Sequence, residues 1–339
     1  MNSFVTAIRQ LTPELVPLLQ RRYVVLKAIG RMGPVGRRSV AQTLGLSERV
    51  LRGEVNNLKT QELLDVSSEG MRMTEKGRQT LLELDELMRD LLNLTELQHA
   101  LMDEYALEKV FIVPGNSDES PWVKRELGRV TVECMKQLRT GKNIIAVTGG
   151  TTMATVADML TPDFGTDALF VPARGGIGEE IYNQANTICA KMAEKTQAEY
   201  KALYVPDQVS QDAYEKFVQE PSIREVLEYI SAADFVLHGI GDAMTMAKRR
   251  KTSEEDVKKI QQGHAVGEAF GYYFDEEGNV VYKVQTIGIQ LEHLKGAKHL
   301  LAVAGGASKA KAIQAYCKQA PSATILITDE AAARNMFVK

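Results

Sequence analysis

Across 339 residues no uncharged apolar run reaches the roughly 18 residues that would suggest a membrane span. The N-terminus also lacks the charged patch, apolar stretch and small-residue cleavage site of a secretory signal. Cysteine is scarce. Cys134, Cys189 and Cys317 are odd in number and far apart, which fits buried thiols in a reducing compartment rather than a disulfide framework. The five histidines (His99, His238, His264, His293, His299) show no metal-ligand spacing with cysteine or carboxylate. HExxH is absent, so no metal site is expected. Repeats and low-complexity tracts are missing as well. These absences leave a folded, cytoplasmic chain, long enough for two domains, as the expectation.

What is present is ordinary in amount and uneven in place. A hydrophobic fraction of 44% and a charged fraction of 25% are those of a folded protein. The net charge of -3, however, hides a split. Residues 1–66 hold ten Lys/Arg against five Asp/Glu, a net of +5, and the remainder carries -8. A small basic domain on an acidic body suits a polyanion-binding module tethered to something else, although charge alone also allows a solvated basic face.

The first stretch reads as helices. Leu15, Leu18, Leu19, Tyr23, Leu26 and Ile29 recur at three- and four-residue spacing. A short helix follows from Gly36-Arg37-Arg38-Ser39 to Leu44, then the tight turn Gly45-Leu46-Ser47, with Ser47 as N-cap of a second helix. Leu63–Val66 and Met71–Thr74 form a hairpin around Ser67-Ser68-Glu69-Gly70. Helix, glycine turn, helix and hairpin in that order make a winged helix-turn-helix. With Val50, Leu51, Val55 and Leu58 turned inward, Glu48, Arg49, Arg52, Gly53 and Asn56 face outward. Arg pairs with guanine through two donors and Asn with adenine, so Arg49, Arg52 and Asn56 carry the chemistry of base readout. Arg37, Arg38 and Lys59 sit at element ends, where phosphate contacts are usual. An RNA-binding role is disfavoured because no set of stacking aromatics accompanies the basic helix.

The spacing predicts three regions: a winged helix-turn-helix over 1–75, a linker helix over 76–107 and an effector domain over 108–339. In the linker, Leu84, Leu87, Leu91, Leu94 and Leu101 form a short, imperfect seam with Gln98 in the missing position, suited to oligomerisation or to packing within the chain. Beyond residue 108, short apolar strands alternate with helices, which implies an α/β, doubly wound, Rossmann-like sheet. Strands are expected at Val110–Val113, Asn143–Val147, Ala168–Pro172, Lys201–Val205, Asp234–His238, Thr286–Gln290, Leu300–Val303 and Thr324–Thr328. Phe274–Val280 reads as a hairpin inserted into that sheet.

Three of these strands end in glycine-rich turns: Thr148-Gly149-Gly150-Thr151-Thr152, Ala173-Arg174-Gly175-Gly176-Ile177-Gly178 and Ala304-Gly305-Gly306-Ala307-Ser308-Lys309. Glycine lets backbone approach a ligand, and a helix N-terminus offers free N–H groups and positive dipole to an anion. Thr151, Thr152 and Ser308 add hydroxyls, and Arg174 and Lys309 add charge. Neither GxxxxGK[ST] nor GxGxxG occurs at these turns, so a sugar phosphate is favoured over a nucleotide, and separated loops suit phosphates at both ends.

Seven segments carry a resemblance: GRRSVAQTLGLSERVLRGEV (36–55), SPWVKRELGR (120–129), VTGGTTMATVA (147–157), FVPARGGIGEEIYNQANTICAKMAEK (170–195), LHGIGDAMTMAKRR (237–250), AVGEAFGYYF (265–274) and AVAGGASKAKAI (302–313). Over nearly the whole chain the sequence resembles the glycolytic branch of the sugar-responsive repressors that include deoxyribonucleoside and sorbitol regulators. That resemblance implies a C-terminal domain similar to sugar-phosphate isomerases and deaminases but used as a sensor. It further implies repression of a glycolytic operon, fructose 1,6-bisphosphate as effector with no cofactor, and a tetrameric form, a dimer of dimers, on double-stranded operator DNA. By position it assigns ligand contacts to Gly149, Gly150, Thr151, Thr152, Arg174, Gln184, Arg249, Glu268 and Lys309. Gln184, Arg249 and Glu268 come from the resemblance alone, and for Arg249 and Glu268 a surface salt bridge is the plainer reading. The rival function is an isomerase- or deaminase-like enzyme fused to a DNA reader, with Glu268 or His238 as base, but neither residue has a partner in a recognisable catalytic arrangement.

Overall fold

The computed structural model describes Val5, Ala7, residues 10–176 and residues 180–337, so Ile177 and Gly178 of the second glycine-rich turn lie outside the described residues. The chain forms two compact units, residues 1–97 with Glu119–Trp122, and residues 98–118 with 123–339.

In the first unit α1 (Leu15–Met32), α2 (Arg37–Leu44) and α3 (Glu48–Thr60) precede the antiparallel hairpin β1 (Leu64–Ser67) and β2 (Gly70–Met73). Val35 adds a bridge to Met71, which pins the hairpin to the loop after α1. Gly45 at φ +67 turns the chain between α2 and α3, and the Ser47 side chain accepts the Val50 N–H at 3.3 Å. Val25, Leu26, Ile29, Val40, Leu44, Leu51, Val55, Leu58, Leu64 and Met71 close one core. The inward face of α3 differs from expectation. Val50 lies at its half-exposed margin, and Glu54 is buried instead. Burial of that carboxylate is tolerated because Arg21 and Arg22 of α1 reach it at 3.3 and 3.0 Å.

The single linker helix predicted over 76–107 is two helices, α4 (Glu75–Leu91) and α5 (Leu94–Tyr105). Asn93 takes φ +52 between them, a left-handed conformation that asparagine tolerates and that no helix continues through. Gln98 and Leu101 of the expected seam are buried inside the second unit, where Gln98 donates to the Val110 carbonyl. These two positions pack within the chain.

The second unit is built on a seven-stranded parallel sheet of β3 (Lys109–Val113), β4 (Asn143–Val147), β5 (Ala168–Pro172), β6 (Glu199–Tyr200), β7 (Phe235–Gly239), β12 (His299–Val303) and β13 (Thr324–Asp329). Its spatial order is β3-β13-β12-β7-β4-β5-β6. Ile145, Val147, Leu237, Val303 and Ile327 are buried on one face, and Ala146, Val236, Ala302 and Leu326 on the other, so both faces are covered. That burial explains why the strands read as continuous apolar runs. The helices of this unit are α6 (Pro121–Leu138, from Val123 onward), α7 (Thr151–Met159), α8 (Ala185–Thr196), α9 (Gln211–Phe217), α10 (Pro221–Ser231), α11 (Ala243–Arg249), α12 (Glu254–Gln262), α13 (Ala310–Gln319) and α14 (Glu330–Asn335).

The strands depart from expectation in three places. The strand expected at Lys201–Val205 is the shorter β6, two residues upstream. Thr286–Gln290 is no strand. Ile287 and Ile289 are buried, but Thr286 and Gly288 make only isolated bridges, to Gln208 and Arg174. The hairpin around Gly278 lies outside the main sheet. It joins β10 (Tyr272–Phe274) to β11 (Val280–Lys283) in a four-stranded antiparallel sheet with β8 (Gly241–Asp242) and β9 (Gly267–Ala269).

Candidate DNA-reading surface and effector crevice

On the first unit Arg37, Arg38, Ser47, Arg49, Arg52, Asn56 and Lys59 are all exposed. Arg49, Arg52, Asn56 and Lys59 follow three- and four-residue steps along α3, so they form one stripe opposite Leu51, Val55 and Leu58. Arg38 meets Glu48 at 3.4 Å, an exposed pair that leaves the guanidinium able to exchange partners.

On the second unit the strand order reverses between β4 and β7, since β5 and β6 continue on one side and β12 and β13 on the other. At such a switch point the loops leaving neighbouring strands diverge and open a crevice at their carboxyl ends. A cavity of about 600 Å³ lies there, lined by Thr148–Thr152 after β4 and Gly239–Asp242 after β7. Gly149, Gly150, Thr151, Thr152, Arg174, Gln184, Arg249, Glu268 and Lys309 all line this one cavity. A volume of this order suits a small ligand.

The three glycine-rich turns are not equivalent. After β4 the N–H groups of Gly149, Thr151 and Thr152 have no acceptor among the described residues, and α7 starts without a side-chain cap or an acidic first turn. Gly150 takes φ +121, which suits glycine, and a Cβ on Gly149 would lie 2.7 Å from the Asn183 carbonyl. The other two turns depart from the expected amide cradle. Gly175 and Gly176 donate to the Ile287 and Val205 carbonyls at 3.2 and 3.0 Å. After β12, Gly306 donates to Asp329 at 2.7 Å, Ala307 to Asn116 at 3.3 Å and Ser308 to Asp118 at 2.9 Å. Those amides are consumed by the protein's own oxygens, so Lys309 reaches the crevice through its side chain alone.

Two lysines face the uncapped end of α7. Lys124 donates to the Thr151 hydroxyl at 2.8 Å, and neither Lys124 nor Lys309 has a carboxylate partner among the described residues. Burial pulls the Lys124 ammonium below the usual lysine range, and the charge of Lys309 pushes the same way. Two neighbouring cations with no counter-charge beside free amides give this end of the crevice the chemistry that favours an anion. Lys124 lies in a segment that carried the family resemblance, but no spacing rule marks it as a ligand. Arg249 makes one 3.4 Å pair with the exposed Glu180 and keeps most of its donors.

Arg174 and Glu268 have a further role that the sequence reading missed. They belong to a buried quartet with Asp207 and Arg250, four side chains each no more than 5% exposed. Arg174 approaches Asp207 at 2.7 Å and Glu268 at 3.5 Å, and Arg250 approaches them at 3.3 and 2.8 Å. Arg250 also donates to the Tyr273 hydroxyl at 3.1 Å. Burial alone would raise the Glu268 carboxyl, but the guanidinium groups of Arg250 and Arg174 outweigh it and hold that carboxyl low. Two charges of each sign make the quartet neutral, so it joins the loops after β5 to the small sheet without itself attracting an anion.

His238 is fully buried. Its Nδ1–H donates to the Gly239 carbonyl at 3.1 Å, which leaves Nε2 to accept the Tyr316 hydroxyl at 3.0 Å. Burial pulls its pKa down to about 4, so the ring is neutral and both nitrogens are engaged. With Glu268 ionised inside the quartet, neither proposed base is poised for proton transfer to a ligand.

A basic helical module and a parallel α/β domain with a polar crevice at the switch point of its sheet together define a transcriptional regulator with a ligand-binding domain. Residues 18–88 match the family profile described as "CggR N-terminal DNA binding domain", and residues 89–337 match the one described as "Putative sugar-binding domain". The Central glycolytic genes regulator of Priestia megaterium is 54% identical over 99% of this chain and 98% of its own. That of Bacillus subtilis is 51% identical over 99% of each. The chain belongs to the family of central glycolytic genes regulators. Among solved structures, a SorC-family transcriptional regulator from Enterococcus faecalis is 47% identical with a TM-score of 0.66, over 71% of this chain and 99% of its own. The full-length sorbitol operon regulator of Klebsiella pneumoniae, 16% identical, shares the fold at a TM-score of 0.63 over 89% of this chain and 94% of its own. Among the described residues no helix is long and apolar enough to cross a membrane.

Proposed function

We propose that this chain represses a glycolytic operon in the cytoplasm and leaves its operator when a sugar bisphosphate, fructose 1,6-bisphosphate first among them, fills the crevice. The observation that carries this reading is the uncapped start of α7 beside Lys124 and Lys309, a phosphate site with no anion of its own. The glycolytic operon is drawn from the two relatives, each a central glycolytic genes regulator. Arg249, with one weak partner, is the cation for the second phosphate. Glu268 and Arg174 meet sugar hydroxyls from the quartet, and Gln184 lies on the same wall.

A ligand acts at a distance only if it binds two arrangements of the protein unequally. We take those arrangements to be two packings of a dimer of dimers, one of which presents its recognition helices to operator half-sites together. A coupling of about 1–3 kcal/mol changes operator affinity some 5- to 150-fold. The test is a panel of mono- and bisphosphorylated sugars, read by thermal shift on the full chain and by release of a duplex selected from random DNA. Fructose 1,6-bisphosphate should raise the melting temperature and release the duplex. A panel in which no phosphorylated sugar does either sinks the proposal.

A further inference from the structure

Four glycines lie inside described α-helices, and three of them have a packing reason. A Cβ on Gly30 in α1 would lie 2.5 Å from Met73 Cε, and one on Gly77 in α4 would lie 2.3 Å from the Leu63 carbonyl oxygen. One on Gly128 in α6 would lie 3.0 Å from the Thr155 carbonyl oxygen. Gly53, mid-way along α3, has nothing among the described residues within 4 Å of that position, and its φ is not in the positive range. Glycine there weakens α3 relative to alanine by about four- to fivefold in the helix equilibrium, and the fold gains nothing in return. Its neighbours on the exposed surface of the helix are Arg49, Arg52 and Asn56, the three side chains with base-reading chemistry.

We infer that Gly53 is a specificity-determining position. The bare helix surface there lets α3 seat against base edges deeply enough for Arg49, Arg52 and Asn56 to reach them. A side chain at residue 53 would hold the helix out of the groove by the length of a carbon–carbon bond, about 1.5 Å, which is enough to break paired hydrogen bonds. Phosphate contacts from the flexible Arg37, Arg38 and Lys59 survive such a shift, and base contacts do not. This inference rests on α3 being the base-reading helix.

The test uses the full-length chain, a duplex that it enriches from random DNA, and a non-specific duplex of equal length. Gly53→Ala should slow hydrogen exchange of the α3 amides by about four- to fivefold, since the helix is strengthened. Affinity for the enriched duplex should fall tenfold or more, the loss of at least one bidentate base pairing, with non-specific binding within twofold of the parent. Unchanged binding of the enriched duplex overturns the inference. Equal loss on both duplexes, or faster exchange in α3, overturns it too. If the parent chain enriches no sequence at all, the base-reading assignment of α3 itself falls, and Gly53 with it.

Discussion

Asp207→Asn tests the buried quartet directly. The substitution keeps the shape of the side chain and removes one of two negative charges, so Arg174 and Arg250 share Glu268 alone in a site where every member is nearly inaccessible. Breaking a buried pair by removing one partner costs about 3–5 kcal/mol, because the remaining charge is left uncompensated. In a unit of this size each kcal/mol lowers the melting temperature by about 2–4 °C, so a drop of about 6–20 °C is expected by circular dichroism or calorimetry. Arg250→Met should be comparably damaging. The double variant restores neutrality, so its loss should fall short of the sum of the two single losses by at least about 1 kcal/mol. The pH dependence has a fixed sign. The folded Glu268 carboxyl is held below its ordinary value, so its pairing contributes in full above about pH 4.3 and is lost as the pH falls through the folded value. A drop under about 3 °C for Asp207→Asn, or strict additivity in the double variant, refutes the claim that this network is electrostatically held.

Other outcomes follow from the same geometry. Lys124→Ala and Lys309→Ala should each weaken sugar-phosphate binding by about tenfold or more by calorimetry, the loss of one charge-assisted hydrogen bond, while operator binding without ligand persists. Thermal stability of Lys124→Ala should hold or rise, since a repulsive neighbour of Lys309 is gone. Arg52→Ala should lower operator affinity by about 1–3 kcal/mol and leave ligand-induced thermal stabilisation unchanged; loss of both signals would mean misfolding. His238, neutral when folded, makes stability fall as the pH drops from about 6.5 towards 4, by about 3 kcal/mol in all, and His238→Gln should flatten that slope in a denaturant series.

What could be read in advance divides along physical lines. Asn143–Val147 and Ala168–Pro172 were legible to the residue because strands buried on both faces leave a contiguous apolar signature. Thr286–Gln290 carries a strand-like alternation instead, without the ladder, since burial of Ile287 and Ile289 needs no hydrogen-bonded neighbour strand. The stripe on α3 was legible because helical periodicity is local. Glu54 broke that periodicity for a reason held 32 residues away in Arg22. The quartet was hidden for the same reason. Asp207 and Arg250 are 43 residues apart in the chain, and nothing in their local spacing announces that they meet. The amide groups after β12 looked available because glycine turns promise free donors, whereas Asp118 and Asp329 that occupy them come from elsewhere in the chain, the loop after β3 and the end of β13.

That occupancy gives the crevice a rigid end and an adaptable end. Backbone amides at residues 149–152 form a fixed frame at one end of the crevice, and under the proposed reading that end takes the phosphoryl group while side chains such as Gln184, Arg249 and Lys309 meet the remainder. If the crevice takes the ligand proposed above, a sensor so built would change its taste in sugars by exchanging a handful of residues such as Gln184 or Arg249. Damage to the frame would silence it towards every effector at once.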